Sequence, residues 1–319
     1  MASEAKGEGR LKTAALFAVL LALLPIAGLA LAWLTPPALF APPPMSLERL
    51  LPLIGKTLAL ALVVSLSAAL VGTWIAWVGA TRRYRGRRIL VVASLLPLAV
   101  PSYVLATVTR EALAPLGWIG SLLGLKGAAT GFWPAAFVLT LACAPYVQLI
   151  VSASLARIPP AELEAARSLG ASPWMSFKAV VLPRLRPAWA LSSLIVILYV
   201  IADFGAVAIL DCEVLTWELY KASGSRDAVL LAFATMACVL PLVAGVRWLH
   251  GQQIDEVSTI RVAPDRRTLT LPSTCLTWGI HALVVGWGVL LPALMLASWV
   301  WSGLRYDLTF APIGSSAAW

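Results

Sequence analysis

The residues from Arg157 to Pro187, RIPPAELEAARSLGASPWMSFKAVVLPRLRP, carry most of the chemistry this sequence can offer. Pro159 and Pro160 suit a first helical turn, Ala161 to Leu169 is a run of good helix formers, and Gly170 suits a left-handed cap. Ser172 with Pro173 opens a second helix, expected to stop at Pro183. The product is an amphipathic helix-turn-helix lying against the membrane surface. Elsewhere the reactive side chains are sparse. Asp203 is the one acidic residue placed inside an apolar span, where an ionised carboxylate costs about 2.5–3.5 kcal/mol and therefore faces a cavity or a partner. Asp211 and Glu213 sit on a short polar stretch and read as solvated carboxylates, not as hard ligands for a metal. His250 and His281 are the only imidazoles. Cys143, Cys212, Cys238 and Cys275 lack metal-ligand spacing and read as small hydrophobes, so no metal site is expected. No GxxxxGK[ST] run occurs, so any ATP chemistry belongs to another polypeptide and the chain is not expected to be an enzyme.

The elements that must position these residues are membrane helices. Of 319 residues 60% are hydrophobic and 12% charged, and the mean hydropathy is +0.88, so lipid is the expected solvent. Seven apolar stretches reach the roughly 20 residues that a helical crossing needs, near 13–34, 56–79, 89–108, 132–156, 188–210, 228–249 and 276–301. Continuous Leu, Ala and Val exclude the alternation of a barrel strand, and the class is all-α and polytopic. The first stretch is too long for a signal-peptide core and reads as a retained helix after a tail at 1–12. The core then runs over 56–250 with the loop 157–187 inside it, followed by a linker at 251–275, the seventh span and a tail at 302–319.

Basic residues resist translocation, and 17 of the 24 fall on one side if the N-terminus is cytoplasmic, including those of Arg82 to Arg88 and of the 157–187 loop. N-in and C-out is the expected orientation. The charge of +9 is thereby spread along membrane-flanking segments, and no nucleic-acid face is assembled. Pro97 and Pro101, Pro145, and Pro241 are expected to kink the third, fourth and sixth spans.

With the loop placed on the cytoplasmic side, its fixed positions acquire meaning. Glu164, Ala165 and Ala166, then Gly170, then Val180, Leu182 and Pro183 resemble the cytoplasmic signature of permeases from binding-protein-dependent ABC importers, Glu-Ala-Ala, three residues, Gly, nine residues, an aliphatic, one residue, Leu-Pro. The run Leu96 to Ala106 (LPLAVPSYVLA) and Ala202 to Val207 (ADFGAV) are similar to segments of the ferric-iron branch. The resemblance implies a type I permease core in a bacterial inner membrane, moving ferric iron handed over by a periplasmic substrate-binding protein. It implies ATPase subunits, holding ATP and Mg, docked on the loop, and no cofactor bound by this chain itself. Thiamine, polyamines, phosphonates and oxyanions are the alternative cargoes, and a secondary transporter the alternative class. The latter would need ionisable groups in the bilayer, where only Asp203 and His281 stand.

Asp203, Phe204 and Gly205, with Pro101 and Tyr103, are the candidate lining of the translocation pathway. Bonding of Asp203 to a neighbouring helix is the equal alternative. The stretch Cys212 to Arg226 is a candidate surface for the binding protein. One coupling loop implies one half of a pathway, completed by a second permease half. Leu290-Leu291-Pro292 before Trp299 echoes Leu23-Leu24-Pro25 before Trp33, as though a second copy began at the seventh span.

Overall fold

The computed structural model describes residues 27–28, 45–170, 172, 175, 177–223, 225–250, 267–268 and 271–305. Its helices are α1 (Leu47–Thr81), α2 (Arg87–Ala93), α3 (Ser102–Ala112), α4 (Trp118–Leu123), α5 (Phe132–Leu155) and α6 (Pro160–Ser168). They continue with α7 (Leu182–Ala202), α8 (Gly205–Ile209), α9 (Leu215–Lys221), α10 (Arg226–His250), α11 (Leu271–Val285) and α12 (Leu291–Arg305). Among the described residues five helices are long and apolar enough to cross a membrane: Leu47–Thr81, Phe132–Leu155, Phe177–Ala202, Asp227–Gly245 and Ser273–Arg305. Arg87–Ala99 and Ser102–Ala112 reach that length and apolarity only as a pair, bent by 99°. The protein is an all-α polytopic membrane protein. The expected span at 13–34 lies outside the described residues apart from 27 and 28.

Lipid removes the usual hydrophobic drive between helices, so close backbone approach has to hold the bundle. The sequence supplies it: Ala61, Ser65, Ala68, Gly72, Ala76 and Gly79 form one buried stripe along α1. That stripe meets the alanine-rich face of α5. A Cβ at Gly72 would lie 2.5 Å from the Ala144 carbonyl oxygen and 2.7 Å from Val147 Cβ. Around this contact Val64, Leu139, Cys143, Val147, Leu185 and Val196 make the common core.

Three expectations about boundaries need correction. The second span begins at Leu47, nine residues before Lys56. The third is not one kinked helix but two arms at 99°. The first arm tightens into a 3₁₀ turn at Leu96–Ala99, Val100 is extended before Pro101, as a residue preceding proline must be, and the chain restarts as α3. The fifth span does not begin at 188 or reach 210. A π-helical turn, Phe177–Val181, leads directly into α7, so Pro183 stops nothing and sits in the first turn of α7, where a missing N–H costs little. That span ends at Ala202, which puts Asp203 after the helix and not inside it. Pro145 and Pro241 lie within continuous helices.

The segments assigned to one side by charge lie together in space. Arg82 and Arg83 pair in parallel with Arg267 and Thr268, and Phe177 packs edge-on against Trp77 at 5.0 Å. This near end therefore holds 82–88, the 157–187 loop and the 251–275 linker's described residues. At the far end the Arg110 guanidinium donates to the Ile209 carbonyl, Gly131 N–H to the Leu210 carbonyl, and Met45 N–H to Asp227.

Candidate functional site

Two groups of expected site residues take shape, one at each end of the bundle. At the near end, α6 contains Glu164, Ala165 and Ala166, with Ala165 exposed and Ala166 half-buried. Gly170 follows in the left-handed region at φ 81°, the cap expected of it. Ser172 Oγ then accepts the Met175 N–H at 3.2 Å, a short side-chain cap at the entry to the second helix. Val180 packs on the core while Leu182 is half-buried and Pro183 exposed. Three residues outside the expected set, Ser154, Glu162 and Arg184, bond to one another in this foot. Arg184 Nη2 donates to Glu162 Oε1 at 2.7 Å, and the Arg184 carbonyl accepts Ser154 Oγ at 3.1 Å. The bond to Glu162 ties α6 to the base of α7, 22 residues on. Opposite charges in a polar loop were its only signal in the sequence.

At the far end the break after α7 meets the break before α3. Asp203, 9% exposed, accepts Ser102 Oγ on one carboxylate oxygen at 2.5 Å and Ala206 N–H on the other at 2.9 Å. Its backbone carbonyl accepts Thr216 Oγ1 at 3.1 Å. Asp203 thus joins the ends of three elements, α3, α8 and α9. A Cβ at Gly205 would stand 2.8 Å from Tyr103 Cβ, so only glycine lets α8 lie this close to α3.

All five expected pathway residues, Pro101, Tyr103, Asp203, Phe204 and Gly205, meet here. Tyr103 and Phe204 are exposed, and Phe204 lies 4.6 Å from the Tyr220 ring, which stacks in turn on Trp217 at 5.8 Å. Ser102, Thr216, Trp217 and Tyr220 are additions from the fold. Single polar residues on separate segments give no periodic signal.

Beside this junction Lys56 Nζ pairs with Glu213 at 2.8 Å and Lys221 with Glu218. The Lys56 ammonium holds the Glu213 carboxyl below the usual glutamate range, chiefly by their hydrogen bond. Asp211 takes the left-handed conformation at φ 52° in the turn between.

Residues 68–257 match the model of the binding-protein-dependent transport system inner membrane component family. The chain belongs to that family. Among relatives of this family member, the Fe(3+)-transport system permease protein FbpB 2 of Haemophilus influenzae is 29% identical over 265 residues, 81% of this chain and 50% of that protein. The chain thus spans half the length of that relative. A probable sulfate transport system permease protein, cysT of Chlorokybus atmophyticus, is 29% identical over 61% of this chain and 72% of its own length. The molybdenum transport system permease protein ModB of Azotobacter vinelandii is 31% identical over 50% and 72%. Among solved structures the inward-facing MetNI methionine ABC transporter superposes with a TM-score of 0.50 at 18% identity, covering 65% of this chain and 97% of that one, a likeness of fold alone.

Proposed function

We propose that this chain is one membrane-spanning half of an ATP-driven importer. Its near end faces the cytoplasm and presents the 157–187 loop to a separate ATPase subunit. The observation that carries the proposal is the placement of Glu164, Ala165, Ala166, Gly170, Val180, Leu182 and Pro183. They fall on a helix-turn-helix at the end of the bundle that also gathers the basic segments. The exposed α6 surface is the docking face. The far end, with Asp203 and its neighbours, then belongs to the mouth of the pathway, and α9 offers a surface to a periplasmic binding protein. A second permease half completes the path.

Ferric iron is the favoured cargo, because the ferric permease relative aligns along more of this chain than the sulfate and molybdenum relatives do. The binding protein selects the ligand in this reading, so a metal site on the chain itself is not required.

The test is sided labelling followed by uptake. A Ser172→Cys variant should resist an impermeant thiol reagent in intact cells and react in inverted vesicles. Glu164→Lys should abolish uptake of labelled iron while the protein still accumulates in the membrane. Labelling of position 172 from outside would sink the orientation. Uptake of sulfate or molybdate in place of iron would reassign the cargo and leave the permease assignment intact.

A further inference from the structure

Beyond the family-matched residues 68–257, the last long helix, Ser273–Arg305, carries one buried seam. Thr277, His281, Val284, Gly288, Pro292 and Met295 are all buried, at spacings of three or four residues. Val284 packs on Ile75 of α1 and Leu141 of α5, and His281, Gly288 and Met295 meet the bent pair. Near the seam's start His281, 1% exposed, is held on both ring nitrogens: Nδ1 lies 2.7 Å from Ser94 Oγ and Nε2 lies 3.0 Å from Tyr84 OH. Ser94 Oγ already donates to the Leu90 carbonyl. The consistent arrangement is therefore Tyr84 O–H to Nε2 and Nδ1–H to Ser94, a neutral ring with every donor and acceptor used. Ser94 is the C-cap of α2, within the first arm.

At the break itself Gly288 lies against Pro97, where a Cβ would come within 2.8 Å of the ring. On the second arm Trp287 Nε1 donates to Thr109 Oγ1 at 2.9 Å, and Met295 packs with Val108 and Ala112. The π-helical turn Gly286–Leu290 falls where these contacts concentrate, and such a turn shifts the register of the side chains that follow it.

We propose that this helix is a splint: it fixes the 99° angle between the two arms and so positions Ser102, at the start of the second arm, against Asp203. Val100 N–H bonds back to Pro97 and Val104 N–H to Pro101, so no helical hydrogen bond crosses from one arm to the other. Pro97 and Pro101 break the helix here, and what packs against the two arms bears on the angle at which they meet. α5 touches the same arms, through Gln148 donating to the Val91 carbonyl on one side and core packing on the other, and gives the splint a counterface. His281, Trp287 and Gly288 are positioning residues in this scheme and touch no cargo. The splint stands whether or not the cargo is iron.

The test reads the angle directly. Spin labels on Ile89→Cys, on the first arm, and Glu111→Cys, on the second, are placed in the full chain with Cys238 and Cys275 replaced by Ser. Their distance distribution is measured by pulsed electron resonance in lipid nanodiscs. The parent should give one narrow population. His281→Leu and Gly288→Val should each add a second population or broaden the first. His281→Asn, which still offers an N–H to Ser94, should keep the parental distribution. Val196→Ala, a cavity in the common core remote from the seam, controls for general loosening. Distributions in His281→Leu and Gly288→Val that superimpose on the parent would overturn the splint. So would equal broadening in Val196→Ala.

Discussion

Removing the Ser102 hydroxyl should loosen the far-end junction by an amount that the geometry bounds. The bond joins a hydroxyl to a buried carboxylate at 2.5 Å, and bonds to charged groups contribute about 1.5–3 kcal/mol in water-soluble proteins. Between membrane helices the measured average is nearer about 0.6, with a ceiling of about 1.7 kcal/mol, because the unfolded chain in the bilayer finds other partners. Ser102→Ala should therefore cost about 1–2 kcal/mol. Asp203→Ala should cost more, since it also strands the Ala206 N–H that the second carboxylate oxygen accepts. Once the carboxylate is gone, loss of the hydroxyl should cost little. The double variant should then fall short of the sum of the singles by about 1–2 kcal/mol. Reversible unfolding of the purified chain in mixed micelles measures all four corners. Costs that add to within about 0.5 kcal/mol would refute the claim that this bond joins the two breaks. Asp203→Asn keeps an acceptor for Ala206 and a polar partner for Ser102, so its fold should survive. Uptake by that variant then separates the two roles of Asp203. Full transport would remove it from the pathway and leave it as a junction.

Gly170→Val should cost about 1–2 kcal/mol locally, because among the described residues nothing crowds the position and the penalty is that of a left-handed β-branched residue. Faster amide exchange across Pro160–Ser168, with Gly170→Asn showing a smaller change, would confirm it, and unchanged exchange in the valine variant would count against the cap. The Lys56–Glu213 pair should respond to pH and salt. Since Lys56 depresses the Glu213 pKa, its contribution is complete above the ordinary glutamate value of about 4.3 and is lost as pH falls through the lower folded value. Both side chains are more than half exposed, so salt should screen the effect. The stability difference between parent and Glu213→Gln should be small at neutral pH and low salt and vanish in acid. A difference that grows on acidification would contradict the assignment.

The long apolar runs were legible because lipid demands about 20 unbroken residues and the sequence has no other use for them. The first helix of the loop was legible for a local reason too: Pro160 starts it and Gly170 ends it, each by its own backbone preference. Pro97 and Pro101 announced a disturbance in the third span but not its size. A kink and a 99° break differ in what packs against them, here Gly288, some 190 residues away. Pro183 misled for the opposite reason. A π-helical turn before it places its ring where a helix begins, and that depends on Phe177 finding Trp77. His281 was read only as an ionisable group within a span, because its partners, Ser94 and Tyr84, lie on other elements. Asp203 was expected inside a span and stands just after one. Its carboxylate is satisfied by Ser102 and Ala206, which compensates burial whether or not it also meets cargo.

The continuity of Phe177–Ala202 has a mechanical consequence. Its 26 residues make an arm about 39 Å long, with the loop at one end and Asp203 just past the other. A tilt of about 5° at the base swings the tip sideways by about 3 Å, given that length. A lever of this reach carries its largest displacement to the end where Asp203 bonds Ser102.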